Sequence, residues 1–206
     1  MNSFVTLDLE TTGFSAKTSE IIEIGAWKVE NGVVTSKFCT LVKPLGYIPR
    51  DVQALTGITN EMVASELSIE EVLPNFFDFC GNLPFLGHNL QFDYSFLCEK
   101  GKQMGLDFTL GGMRCGIDTC KLSAKYLTNT ASNKLKDVAD YFSINVQADS
   151  MSFHRAGFDA YMTKLIYDRF KYLFPNIPNV TNPDFLDKKD SKEYGRVVND
   201  DTLSFT

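Results

Sequence analysis

The chain opens on a short apolar run that is partly β-branched, Ser3-Phe4-Val5-Thr6-Leu7-Asp8-Leu9, followed by the turn signal Thr11-Thr12-Gly13. That pattern predicts a buried strand. Two further runs, 21–30 and 33–42, flank Asn31-Gly32. An Asn-Gly pair between strand-like runs is the strongest short hairpin signal, so strands two and three are expected to pair antiparallel. Pro49 to Leu55 reads as a short helix opened by proline and stopped by Gly57. Ser68-Ile69-Glu70-Glu71 is a capping box, and Val72, Leu73, Phe76, Phe77 and Cys80 follow at helical spacing. Residues 83–87 then read as a fourth strand feeding a helix that runs through about residue 103.

In the second half, Asp118-Thr119 caps a predicted helix to about residue 127, and Ser132 or Asn133 caps the next. In that helix Leu135, Val138, Ala139 and Phe142 recur at i, i+3, i+4 and i+7. A last helix from about 155 to 173 carries Ala156, Met162, Leu165, Ile166 and Phe170 on one face. An N-terminal hairpin followed by alternating strands and helices predicts an α/β fold, a sheet flanked by helices. After Pro175 the periodicity stops and Asn, Asp and Pro accumulate. Residues 1–175 are therefore expected to form one domain, and 176–206 a tail or docking segment.

Composition narrows the picture. With 44% hydrophobic and 13% aromatic residues there is ample material for a core. No apolar run approaches the ~20 residues of a membrane helix, and no charged-then-apolar leader opens the chain, so a cytoplasmic protein without membrane contact is expected. The five cysteines (Cys39, Cys80, Cys98, Cys115 and Cys120) lack metal-ligand spacing and read as reduced thiols. Twenty basic against twenty-six acidic side chains leave a net charge of −6, which argues against binding long duplexes. Binding a strand end needs few phosphate contacts, and two divalent cations would bring the bound state to about −2.

The candidate chemistry sits in three segments. Asp8-Leu9-Glu10 puts two carboxylates on one side of a strand, where they repel unless a proton or cation lies between them. His88-Asn89-Leu90-Gln91-Phe92-Asp93 follows the fourth strand, at the sheet end where α/β proteins bind ligands. Asp93, on the first turns of the next helix, can point back at that end. Phe92 suits either the core or a stacking face for a base, and His88 suits a structural hydrogen bond or a catalytic role. His154-Arg155-Ala156-Gly157-Phe158-Asp159 sets a histidine five residues before an aspartate, and the two share a face only if His154 precedes the helix in a loop. A histidine there, with a reference pKa near ~6.5, suits proton acceptance at neutral pH. Arg155 serves phosphate or pairs with an acid, and Asp118 reads as a helix cap rather than a metal ligand. Lys121, Lys125, Lys134 and Lys136 suit a solvated helix face or a phosphate-facing edge.

Taken in order and at these separations, the three segments resemble the DnaQ-like DEDDh 3′→5′ exonucleases, in the style of the proofreading epsilon subunits of bacterial DNA polymerase III. The similarity runs from about residue 4 to residue 170 and includes Glu20 to Ala26 and Leu55-Thr56-Gly57-Ile58. A related subgroup carries tyrosine four residues before the last aspartate; position 155 is arginine here, which fits the histidine version.

The resemblance implies a ribonuclease-H-like fold with a central mixed sheet and two Mg²⁺ or Mn²⁺ ions. Asp8, Glu10 and Asp159 would ligate one ion, Asp8 would bridge to the second, and Asp93 would hold the second ion's water shell. His154 would deprotonate the attacking water. Leu55 to Ile58, Leu55 and Thr56 above all, would line the terminal base, with Phe92 near it. Read from the residues themselves, the amides of Thr11 and Thr12 can meet a substrate hydroxyl, and His88 and Asn89 are expected among the substrate-binding residues.

The function expected on this basis is metal-dependent 3′→5′ cleavage of single-stranded or frayed DNA ends, releasing nucleoside 5′-monophosphates in proofreading or repair. The 2′-hydroxyl contacts that would instead mark an RNA-trimming exoribonuclease are not legible in one sequence. From a different class, a non-catalytic scaffold docking on a polymerase subunit through the tail is opposed by the joint presence of Asp8, Glu10, Asp93, His154 and Asp159. The His154–Asp159 arrangement argues against an endonuclease on the same fold.

Overall fold

The computed structural model describes residues 3–106, 116–144 and 153–177. The opening run forms strand β1 (Phe4–Thr11), followed by β2 (Ile21–Glu30) and β3 (Val33–Leu41). The β2–β3 connection is the predicted Asn31-Gly32 turn, with φ of 54° and 83° at the two positions. Those left-handed values match the twist of a two-residue hairpin. β1 pairs antiparallel with β2, while β4 (Phe85–Gly87) and β5 (Gly116–Asp118) add in parallel on its other side. The five-stranded order is β3-β2-β1-β4-β5, a mixed sheet with β1 at its centre.

Seven helices surround it among the described residues: α1 (Arg50–Thr56), α2 (Asn60–Val63), α3 (Ile69–Cys80), α4 (Leu90–Gln103), α5 (Thr119–Tyr126), α6 (Leu135–Tyr141) and α7 (Ala156–Leu173). The predicted stop at Gly57 is a left-handed C-cap, φ 71°. In the capping box, the Ser68 amide donates to Glu71 Oε2 at 2.9 Å.

Four features differ from the sequence expectation. β5 has three residues, too few for any alternation to register, and exists because it pairs with β4 from Phe85↔Gly116 to Gly87↔Asp118. α2 is a single turn capped by Thr59, whose hydroxyl accepts from the Met62 amide at 3.3 Å. Neither Ser132 nor Asn133 occupies the N-cap of α6; Lys134 does. Their side chains are engaged elsewhere, Ser132 with the Lys134 amide and the Asp137 carboxylate, Asn133 with Ser123. Finally, the body extends past Pro175, because Ile177 is buried beside Phe174. The remainder of the expected tail lies outside the described residues, as does Cys115.

The two faces of β1 bury different surroundings. Val5, Leu7 and Leu9 face Leu73 and Phe76 of α3 and Leu90, Phe96 and Leu97 of α4, all buried. Each such side chain contributes about 1.5–3 kcal/mol by leaving water. Phe4, on the alternate face, packs against α7, with its ring edge-on to Tyr167 at 5.7 Å between centroids. Along that second face the strand continues Thr6, Asp8, Glu10, apolar at one end and acidic at the other.

Candidate active site

Asp8 and Glu10 lie in the last half of β1, which runs to Thr11 with a pairing irregularity after Glu10. Asp8 stands across from Gly25 and Glu10 across from Glu23. Asp93 reaches them from the first turn of α4. It is buried, and its Oδ1 accepts the amide of Leu9, the residue between the two acids, at 2.9 Å.

The fourth acid arrives on α7. This helix approaches the sheet closely because position 25 is glycine; a Cβ there would lie 2.1 Å from the Ala156 carbonyl carbon. Trp27 holds the same turn, its indole Nε1 donating to the Gly157 carbonyl at 2.7 Å and its ring tilted against Tyr161 at 5.2 Å. His154 precedes the helix in a left-handed conformation, φ 65°. Its amide donates to Asp159 Oδ2 at 3.1 Å, so the five-residue spacing folds back on itself. One ligand atom each from Glu10, His154 and Asp159 lies within 4.8 Å of the others.

Burial and mutual repulsion push these acids up together. Burial is the largest cause at Asp8, which sits well above the usual carboxylate range, with the charges of Asp93, Asp159, Glu10 and Glu23 adding to it. Glu10 is raised to about 8 by burial and then by Asp159, Glu23 and Asp93, with Arg155 opposing. Asp159 is raised to about 7, mainly by burial. Asp93 is also raised by burial, against the pull of the backbone amides it accepts. His154 is lowered by partial burial, which favours its neutral form. Burial and repulsion of this kind disfavour the bare charges and so favour a proton or a cation among these acids. Asp159 Oδ1 is buried with no hydrogen-bond partner among the described residues. Carboxylate oxygens from four acids, one of them unsatisfied, beside a single imidazole fit a hard divalent cation. Among the described residues no cysteine belongs to this group, and Cys39, Cys80, Cys98 and Cys120 are free.

The other sequence candidates are placed as follows. His88 bridges elements: Nδ1 meets Thr119 Oγ1 at 2.8 Å and Nε2 meets the Asn133 carbonyl at 2.7 Å, so both ring nitrogens have protein partners. Asn89 opens α4 in the left-handed region, φ 63°, and its amide donates to Asp118 Oδ1 at 2.8 Å. That oxygen also accepts from Cys120, so Asp118 is the cap of α5. Phe92 packs on the core beside Phe96, 5.0 Å between centroids.

Thr11 Oγ1 donates to the Gly13 carbonyl, and Thr12 Oγ1 accepts the Glu20 amide, so both hydroxyls brace the turn after β1. Thr56 is buried, bonding to Val52 and Ile58 within α1 and its exit, while Leu55 is 47% exposed. Lys136 pairs with Asp140 along α6, and Lys125 lies over the Tyr126 ring. Sequence reading gave no role to Glu23, a buried acid that binds Arg155 at 2.7 Å. The signal was present: a charge between Ile22 and Ile24 in an apolar strand must be paired.

Similarity to known proteins gives the family. The RNase_T exonuclease family model matches residues 5–167. The chain is 38% identical over 166 residues to the DNA polymerase III subunit epsilon of Aquifex aeolicus, covering 80% of this chain and 78% of that protein. It is 39% identical over 194 residues to the PolC-type DNA polymerase III of Thermotoga maritima, covering 93% of this chain and 14% of the polymerase. Among solved structures, the nuclease domain of 3′hExo, a DEDDh family member bound to rAMP, superimposes with a TM-score of 0.72 at 18% identity, covering 86% of this chain and 95% of that one. Exonuclease X in complex with 5′ overhanging duplex DNA superimposes with a TM-score of 0.67 at 24% identity, covering 86% and 96%. These superpositions establish the ribonuclease-H-like fold. With a family model matching residues 5–167 and 38% identity to an epsilon subunit over four-fifths of its length, the chain belongs to the RNase_T exonuclease family, as a DnaQ-like 3′→5′ exonuclease related to the epsilon subunits of DNA polymerase III.

Proposed function

We propose that this chain hydrolyses the 3′-terminal phosphodiester of single-stranded or frayed DNA and releases nucleoside 5′-monophosphates, in proofreading or repair. The observation that carries this reading is the convergence of Glu10, His154 and Asp159 within 4.8 Å, on the acidic face of β1 that also holds Asp8. Asp8, Glu10, Asp93 and Asp159 would hold two divalent cations, Mg²⁺ or Mn²⁺, which when bound supply Lewis acidity at phosphorus and stabilise the leaving oxygen. His154 supplies the base. Its imidazole, kept neutral by a lowered pKa, takes a proton from water as the new oxygen–phosphorus bond forms. The bond from phosphorus to the 3′ oxygen of the penultimate nucleotide breaks, and that oxygen takes a proton from solvent.

Relatives support the substrate class: one is a polymerase III epsilon subunit, and another structural neighbour was solved with a DNA overhang. Docking on a polymerase subunit through the segment after residue 177 is part of the same reading. A second reading, RNA trimming, draws support from the rAMP held by 3′hExo.

The test is a pair of matched 5′-labelled single strands, DNA and RNA, each with Mg²⁺ and with EDTA. Laddering from the 3′ end, faster on DNA and abolished by EDTA, is the expected result. Faster RNA laddering would replace the first reading with the second, and metal-independent cleavage would overturn both.

A further inference from the structure

Five acids, not four, crowd the site, and the fifth behaves differently. Glu23 lies directly across β1–β2 from Glu10, where like charges destabilise a strand pair unless one is neutralised. Its carboxylate is fully occupied. Oε1 accepts from Arg155 Nε at 3.2 Å and Nη2 at 2.7 Å; Oε2 accepts from Arg155 Nε at 3.2 Å and from the Ala156 amide at 2.9 Å. A bidentate guanidinium fixes direction as well as charge. The chain positions it joins are more than 130 residues apart.

The place of attachment gives the contact its meaning. Arg155 follows His154 directly, Ala156 opens α7, and Asp159 lies one turn further on. His154 occupies a left-handed conformation that non-glycine residues seldom adopt, φ 65°, so its neighbours must hold it. Gly25 and Trp27 seat the same turn by shape and one indole bond, but neither supplies charge. With Glu23 neutralised by Arg155, the four remaining acids carry the charge that two divalent cations match.

We propose that Glu23 is a positioning residue: through Arg155 and the Ala156 amide it fixes the first turn of α7, so that His154 and Asp159 stand against Glu10. The inference rests on the roles given to those residues under the proposed function. Displacing a reacting group by about 1 Å can cost 10²-fold in rate, so the contact should govern turnover more than strand binding.

The test compares Glu23→Ala, Glu23→Gln and Arg155→Lys, with Asp8→Ala and His154→Ala as references. In Glu23→Ala, kcat should fall about 10–100-fold with KM within about threefold. Calorimetric Mn²⁺ affinity should weaken by about tenfold. In the metal-free protein, hydrogen exchange should speed at amides 154–157 and stay slow at Ile166 and Tyr167, which a global loss of stability would not do. Glu23→Gln and Arg155→Lys, which each keep part of the bond set, should recover part of kcat. Should Glu23→Ala not fold, Arg155→Ala reads the same contact from its solvent side. If Glu23→Ala (or that substitute) keeps kcat within twofold while Asp8→Ala and His154→Ala lose theirs, this inference falls and the proposed function stands. If Asp8→Ala and His154→Ala also keep full activity, the proposed function itself falls.

Discussion

His88 and His154 open motifs of the same form, each with an aspartate five residues on, yet the fold treats them differently. In both, the aspartate turns back to accept a backbone amide: Asp93 from Leu9, Asp159 from His154 itself. The left-handed residue is Asn89 in the first motif and the histidine in the second. That one-residue offset goes with opposite placements. His88 lies between Thr119 and Asn133 with both ring nitrogens bonded. The His154 ring makes no hydrogen bond among the described residues, is exposed, and lies beside Glu10 and Asp159. The same spacing thus brings each aspartate back to a backbone amide, while the turn decides whether the histidine is bonded into the fold or stands beside the acidic cluster.

The largest test of this contrast is His154→Ala. Its kcat should fall by about 10²–10⁴-fold, the usual worth of a positioned base, with strand-end affinity little changed. Steady-state kinetics at neutral pH reads it, and a drop of only a few-fold would erase the distinction between the two histidines. The matching substitution, His88→Phe, should act on stability instead. It leaves the Asn133 carbonyl without its donor while Thr119 can still donate to Gly87, so a loss of about 1–3 kcal/mol in denaturant unfolding is expected, with kcat within a few-fold. A loss of activity larger than the loss of stability explains would bring His88 into the reaction.

A third test uses pH on the metal-free protein. Glu10 and Asp159 titrate near 8 and 7 in the folded state, above their ordinary values, so between those limits the folded chain binds more protons than the unfolded one. Stability should therefore fall as pH rises through that window. His88 and His154 work the other way: their lowered pKa values make stability rise with pH up to the ordinary histidine value of 6.5. The acid effect is thus cleanest from about pH 6.5 to about pH 8, where Tm should drop by roughly several degrees. Asp8→Asn should flatten that slope and Mg²⁺ should abolish it, as scanning calorimetry would show; a flat metal-free profile would mean that neither burial nor mutual repulsion raises these acids.

The smallest effect is expected from the chain's end. A protein ending at Ile177 keeps every residue of both histidine motifs and the buried Ile177 itself. Its activity on short single strands should stay within about tenfold of the full chain, about 1.4 kcal/mol in the barrier. A larger loss, or aggregation, would assign residues beyond 177 to the catalytic body.

Much of this was legible in sequence because the signals are local. The Asn31-Gly32 hairpin, the Ser68 box, the glycine stop at 57 and the long periodic helices each depend on residues a few positions apart. The two-residue spacing of Asp8 and Glu10 fixes that they share a face of any strand, and the sequence alone requires His154 to lie outside the helix if it is to meet Asp159. β5 and α2 were not legible, since three or four residues carry no period and form only against neighbours. The fate of His88, the absence of a cap role for Ser132 and Asn133, and the partnership of Glu23 with Arg155 were decided by tertiary structure. The physical reason is range: backbone preference and side-chain period act over one or two turns, whereas a hydrogen bond or ion pair between residues 31, 45 or 132 positions apart exists only once the sheet and α7 have brought them together.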